Sequence, residues 1–247
     1  MGGEDGYSRA LYFYRCSAKL GCVYGMHTYG SILLRGELNT EKEFNVGLFY
    51  LKLATKKANQ KYPYPFYDLA QIYESFNTCN DIEPDDDYAF RLYEKGASLG
   101  CPNSQFKVGK CYETGDLFRK KDIRLAVEYF TKASENGHVD AQFIMYKYNI
   151  TNLYNGSDPD YVSAYNFALK AASRAHPDAA FGLGELIEKG LGVKKNQLRS
   201  LWWYDIANVL GCKKASKRLK ILRDEVYKKN TGPSHRRSIW SCFLCRN

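Results

Sequence analysis

The sequence has no run approaching eighteen apolar residues, so nothing in it reads as a membrane-spanning helix. Its opening, MGGEDGYSRALYFYR, lacks the basic stretch and apolar core of a secretory signal, and Gly6 stands where a myristoylation signal needs Ser or Thr. These absences predict a cytosolic chain whose eight cysteines are reduced thiols. Histidine is scarce, with four in all, and no Ser/His/Asp or Cys/His arrangement recurs at usable spacing, so catalysis has no support. C-x-x-C spacing occurs once, at Cys242 and Cys245, too little for a zinc module. Phosphate loops are missing as well. FGLGELIEKGLGVKK (181–195) sets glycines beside lysines, but Ile187 occupies the third-glycine position of a dinucleotide fingerprint. Gly184 to Gly190 is too long for a P-loop, and Leu191 replaces its lysine. No cofactor and no metal are expected.

What is present is unevenly placed. Of the net charge of +9, residues 213–247 hold 11 Lys/Arg against 2 Asp/Glu, while the rest of the chain holds 25 of each sign. The body is electrically balanced and carries a basic appendage, without the basic stripe that nucleic-acid binding needs.

The organising feature is a repeat. Small residues Gly21, Ala58, Gly100, Gly137, Ala175 and Gly211 recur at intervals of 36 to 42. Four residues before each stand Ser17, Ala54, Gly96, Ala133, Ala171 and Ala207, and eleven before stand Ala10, Gly47, Ala89, Ala126, Ala164 and Ser200, again small. Eight before, the column is large: Phe13, Tyr50, Leu92, Tyr129, Phe167 and Trp203. Seven before come Tyr14, Leu51, Tyr93, Phe130, Ala168 and Tyr204. These offsets share one face of an α-helix, where small residues admit a neighbouring helix and the large ones fill the space beside it. A preceding helix has its own small position at Gly30, Ala70, Gly109 and Gly184, with Tyr146 as outlier. Glycines at 36, 115 and 190 stop these first helices, and Gly182 has no counterpart, since Thr28 and Lys107 occupy its slot. The spacing therefore predicts an all-α, right-handed solenoid of about five to six helix pairs over residues 8–229, closed by a charged capping helix at about 215–229. Residues 1–7 are expected to be disordered, and 230–247 to form a basic, flexible tail. The amino end starts on the second helix of a unit, which leaves open whether the sequence is a whole protein.

DAAFGLGELIEKGLGVKKNQLRSLWWYDIANVLGC and SQFKVGKCYETG are similar to Sel-one-like repeats, relatives of the tetratricopeptide repeat. With YGMHTYGSILLRGELNTEKEFNVGLFYLKLAT, QFKVGKCYETGDL and the terminal ASKRLK, the order of units resembles the fungal chitin synthase regulatory subunits from about Ser8 to Leu219. That resemblance implies a non-catalytic scaffold that binds a membrane-embedded chitin synthase, activating or localising it for wall or septum synthesis. It places the chain at the cytoplasmic face of the plasma membrane, septum or bud neck. A generic adaptor in signalling or ER-associated quality control is the alternative. The ending LCRN departs from the prenylation box of many members, since Cys245 stands one place too late.

Two readings of the carboxyl end stay open. In one, Lys213, Lys214, Lys217, Arg218, Lys220, Lys228, Lys229, Arg236, Arg237 and Trp240 meet an anionic membrane or acidic partner, and Cys242 and Cys245 carry lipid. In the other, a capping helix runs into a solvated tail. Cys22, Cys101, His138, His176 and Cys212 share a turn slot next to the small turn residue, which argues against a common metal. Asp85 to Asp87, in the acidic run DIEPDDD, are expected to cap the helix that follows. The sequons at Asn149 and Asn155 are expected to stay silent outside a secretory lumen.

Overall fold

A computed structural model describes residues 3–74, 82–151, 156 and 158–230, with side-chain surroundings for 6–74, 82–151, 156 and 158–223. Among the described residues there are twelve α-helices, and the only β-type pairing is an isolated bridge between Asn59 and Tyr62. The chain forms two compact units, Met1–Ala141 and Gln142–Asn247, and α8 (Val139–Thr151) runs through the division.

The first unit holds α1 (Gly3–Lys19), α2 (Val23–Arg35), α3 (Phe44–Lys57), α4 (Pro65–Tyr73), α5 (Asp86–Ser98), α6 (Pro102–Thr114) and α7 (Ile123–Glu135), each packed on the next. The second holds α9 (Tyr161–Ser173), α10 (Pro177–Lys189), α11 (Gln197–Val209) and α12 (Lys213–Asn230), stacked likewise. α1 already begins at Gly3, inside the stretch for which the sequence predicts disorder. Its opening carries Glu4 and Asp5, acids that suit the positive end of a helix.

Local chemistry sets the helix ends. Four of the odd-numbered helices start on polar caps: Asp85, Asp122, Asp160 and Asn196 each accept a backbone N–H from the first turn of α5, α7, α9 and α11, whereas Glu43 before α3 makes no such bond. α2, α6 and α10 stop on left-handed glycines, Gly36, Gly115 and Gly190, whose N–H groups close the last turn, whereas α4 ends on Glu74 in extended backbone. The return turns use Gly21, Gly100, Gly137, Ala175 and Gly211 at φ between +62° and +91°. Ala58 departs from this set, with φ −62° and extended backbone. The period groups it with the turn residues, but its turn is of another kind.

The four repeated columns divide by burial. Leu51, Tyr93, Phe130, Ala168 and Tyr204 are completely enclosed, as are the small Ala54, Ala133, Ala171 and Ala207. Tyr50, Tyr129 and Phe167 are half-buried beside them. Enclosing one such large side chain contributes about 1.5–3 kcal/mol.

Candidate partner-binding site

The small positions are where helices touch, so they are not free for a ligand. A Cβ on Gly30 would stand 2.8 Å from the Gly47 carbonyl, and one on Gly109 or Gly184 would enter the ring of Phe130 or Tyr204 at 2.8 and 2.7 Å. Ala70 is fully enclosed. The outlier Tyr146 and the unmatched Gly182 explain each other: a Cβ on Gly182 would meet the Tyr146 hydroxyl at 2.4 Å. A large residue in the small slot of one helix is accommodated by a glycine two residues before the small slot of the next such helix.

That same slot carries polar chemistry elsewhere. Lys107 occupies it on α6, and Arg218 occupies it on α12. Lys107 reaches Glu74 at 2.5 Å, and the Tyr93 hydroxyl donates to the same carboxylate at 2.9 Å. Arg218 clasps Glu188 with two nitrogens, and the Tyr204 hydroxyl donates to it at 2.7 Å. Among the described residues, each unit thus holds a tyrosine–glutamate–cation cluster joining three consecutive helices. Burial pushes the Tyr93 and Tyr204 phenols up, so both stay protonated and donate. Burial, the largest single influence, opposes the charge on Lys107, but the hydrogen bond to Glu74 and that carboxylate's charge together with smaller neighbouring charges outweigh it and hold the pKa above the ordinary lysine value. Sequence reading missed these clusters. Their signal was a glutamate four residues after the small position, at Glu74, Glu113 and Glu188, but Phe130 has no hydroxyl for Glu113 to accept.

A third polar group ties the α3–α4 connector to α2. His27 Nε2 lies 2.7 Å from Asp68 and Nδ1 lies 2.8 Å from the Tyr62 hydroxyl. With a carboxylate as acceptor on Nε2, the proton sits there and Nδ1 accepts from Tyr62. Burial, then the neighbouring Tyr24, pushes the Tyr62 phenol up to about 12, so it remains a donor. The arrangement resembles an acid–base relay, yet both ring nitrogens of His27 are engaged internally and its visible work is to fix the connector. Tyr14, Tyr24, Tyr62 and Tyr64 continue from it as a chain of rings with centroids 5.2–6.4 Å apart.

The remaining sequence candidates distribute as follows. Lys213, Lys214, Lys217 and Lys220 are exposed on α12, whereas Arg218 is engaged by Glu188 and Arg223 by Asp205. Leu219 and Leu222 pack under Tyr204, while Ile221 stays half-exposed. Lys228 and Lys229 lie in α12 without described side chains, and Arg236, Arg237, Trp240, Cys242 and Cys245 lie outside the described residues. In the turn slot, His138 and His176 accept N–H groups from Ala141 and Ala179 as helix caps. Cys101 and Cys212 are buried, Cys22 is exposed, and all are free thiols. Among the described residues no three metal-ligating side chains converge. Asp85 caps α5, and Asp87 pairs with Arg91 and Arg119. Asn149 is buried and donates to the Met145 carbonyl, a poor glycan acceptor; Asn155 lies outside the described residues. Exposed aromatic side chains include Tyr12, Phe13, Phe49 and Phe118 in the first unit and Trp202 in the second.

The model of the Sel1 repeat matches residues 4–22, 67–101, 102–138, 152–176 and 177–208. Among curated proteins, chitin synthase regulatory factor 3 of Schizosaccharomyces pombe is 27% identical over 86% of this chain and 23% of its own length. Chitin synthase regulator SKT5 of Saccharomyces cerevisiae is 32% identical over 72% of this chain and 25% of its own length. The chain therefore spans about a quarter of these relatives. Among solved structures, a Sel1 repeat protein from Oxalobacter formigenes superposes with a TM-score of 0.75 at 20% identity, covering 87% of this chain and 59% of that one. An immunity protein from Pseudomonas aeruginosa gives 0.53 at 20% identity, over 84% and 75%. These two likenesses concern the fold alone. No described helix is long and apolar enough to cross a membrane.

Proposed function

The chain belongs to the Sel1-repeat family, and from that premise we propose that it is a non-catalytic adaptor that binds a chitin synthase and activates or localises it for wall or septum synthesis. The observation that carries this reading is the extent of the likeness: proteins named as chitin synthase regulators align with most of the repeat body. The architecture supports it physically. Stacked helix pairs spend their small and aromatic columns on one another, which leaves solvent-facing positions to vary. Nine residues before each turn residue stand Tyr12, Phe49, Arg91, Glu128, Asn166 and Trp202. A few aromatic or arginine anchors among such positions supply most of the energy of a protein interface.

The cytoplasmic face of the plasma membrane, at the septum or bud neck, is where such an adaptor meets a multi-span synthase. Exposed lysines on α12 lead into the basic tail, and each cation near an anionic surface contributes about 1 kcal/mol. Palmitate on Cys242 and Cys245 would supply the second signal that lasting attachment requires. In this reading residues 8–229 form the working scaffold and 230–247 the attachment.

Affinity purification of the tagged full chain from membranes of the cells that make it tests the proposal. A chitin synthase in the eluate is the expected result; its consistent absence, with other proteins recovered instead, points to an adaptor for a different client. Turnover of a sugar nucleotide by the purified chain alone would overturn the non-catalytic reading. Unmodified tail thiols in the membrane-bound fraction, by mass spectrometry, would remove the lipid anchor.

A further inference from the structure

One turn breaks the repeat. From turn residue to small contact position the chain takes nine steps in most units, as from Gly21 to Gly30, Gly100 to Gly109 and Ala175 to Gly184, but twelve from Ala58 to Ala70. The longer segment abandons the left-handed turn and closes instead through the Asn59–Tyr62 bridge. Places where a chain departs from its own local rule are where function is expected.

The segment forms one wall of an open hollow of about 650 Å³, whose lining combines Ala58, Phe66 and Leu99 with Lys56, Lys61 and Lys95. No acidic residue lines it. All three lysines are exposed, and none has a carboxylate partner among the described residues. Unpaired lysines occur elsewhere in the body beside the paired Lys107, Lys110, Lys132 and Lys189; what sets these three apart is that they share one lining with no acid in it. Lys56 and Lys95 sit in the last turns of α3 and α5 and so answer the helix dipoles. Lys61 sits on no helix and has no such task.

The wall is also held in shape before anything binds. Asn59 accepts the N–H groups of Lys61 and Tyr62 at 2.9 and 3.2 Å, and the Thr55 hydroxyl, which donates to the Leu51 carbonyl at 2.9 Å, also lies 3.4 Å from the Pro65 carbonyl. Tyr62 is gripped by His27. Such preorganisation lowers the cost of ordering a binding site.

We propose that this hollow docks an acidic peptide segment of a partner protein, seating one apolar side chain on Phe66 and Leu99 while its carboxylates meet Lys56, Lys61 and Lys95. Charge complementarity carries the assignment: an apolar floor ringed by three unpaired cations suits an apolar residue flanked by acids. The inference rests on the adaptor reading only in requiring a partner.

The test titrates the full chain with a fluorescein-labelled hexapeptide of glutamates around a central phenylalanine, read by anisotropy. Matched peptides replace the glutamates with lysine or the phenylalanine with glycine. The acidic aromatic peptide is expected to bind best, and joint Lys56→Glu, Lys61→Glu and Lys95→Glu substitution to weaken it about tenfold or more. Lys61→Gln alone, on an exposed connector, is expected to weaken it measurably while the circular dichroism spectrum stays unchanged. Reversal of Lys213, Lys214 and Lys217 to glutamate should leave binding intact. The inference fails if the peptide does not bind, if reversal on α12 weakens it as much, or if phosphatidylserine vesicles bind through the three lysines and the peptide does not. Peptide failure alongside recovery of a synthase by the tagged chain would sink the hollow and spare the adaptor reading.

Discussion

A Cβ at position 182 would stand 2.4 Å from the hydroxyl and 2.6 Å from Cζ of Tyr146, a ring only 7% exposed. Gly182→Ala is therefore expected to cost about 1–3 kcal/mol through forced displacement of that ring. In a Tyr146→Ala background the obstacle is gone, and the same substitution becomes neutral or stabilising by up to about 1 kcal/mol, because alanine suits a helix interior better. Thermal melts of the four variants decide it; additive effects would refute the coupling. The glutamate clusters are argued at the same scale. Tyr93→Phe leaves Glu74 its ion pair with Lys107 and is expected to cost about 1 kcal/mol. Glu74→Ala strands both a buried phenol and a half-buried ammonium, and is expected to cost about 2–4 kcal/mol by chemical denaturation. Equal losses would mean the cluster is not shared. The repeat columns, which compare equivalent positions between units, marked Tyr146 and Gly182 as separate exceptions and carried the recurring glutamate without its partners. The glutamate and its partners stand at different positions on three successive helices, and only a packed structure brings them onto one carboxylate.

At the scale of elements, the helix pairs were legible because their packing demands small residues at fixed offsets, a demand that leaves the same trace in every unit. Glycines 36, 115 and 190 were readable as helix stops for the same reason, and each adopts the left-handed conformation. The turn at Ala58 was not, since periodicity records size and Ala58 has the right size in the wrong backbone. Ala175 is the converse case: it holds the left-handed turn at φ +62° without being glycine. A non-glycine residue there is strained by about 1–2 kcal/mol. Ala175→Gly, after allowing for the greater unfolded-state entropy of glycine, is expected to raise stability by about 0.5–1 kcal/mol. Ala58→Gly relieves no strain and is expected to lower it slightly. A differential-scanning comparison of the two variants checks both signs, and a lowered melting temperature for Ala175→Gly would contradict the turn assignment. The connector has its own test. His27→Ala unties Tyr62 from Asp68, and faster hydrogen exchange in residues 58–64 than in the α2 interior is the expected readout.

Over the whole molecule, the sequence's surplus of tyrosine becomes a dependence on pH. Burial pushes the Cys111 thiol up to about 12 from an ordinary 9.0, and the Tyr62 and Tyr146 phenols up to about 12 from 10.0. Tyr93 and Tyr204 are raised further. For each of these groups the folded chain keeps a proton that the unfolded chain has released, so stability falls with rising pH wherever that difference exists. The contribution is fully present below the unfolded values and is lost as pH rises from about 9, for the thiol, through about 12. Lys107 adds to the same limb, since its raised pKa means its pairing with Glu74 is lost as the ammonium deprotonates. On the acid side two resolved shifts oppose each other. Asp160 is held below 3.8 by hydrogen bonding to Ser163, a contribution present above that value and lost as pH falls through its lowered pKa. Burial raises Glu94 above 4.5, a contribution present below 4.5 and lost as pH rises through its raised pKa. The melting temperature is thus expected to be flat through neutrality and to decline from about pH 9 upward, in both units, because each holds raised phenols. Cys111→Ala should melt lower at neutral pH and decline less steeply just above pH 9, where the buried Cys101 thiol, also raised from 9.0, still contributes. Ultraviolet titration should show a class of tyrosines that ionise only as the chain unfolds. A melting temperature constant to about pH 11, or phenols titrating together in the folded protein, would mean the aromatic columns are far more open to water than this packing allows.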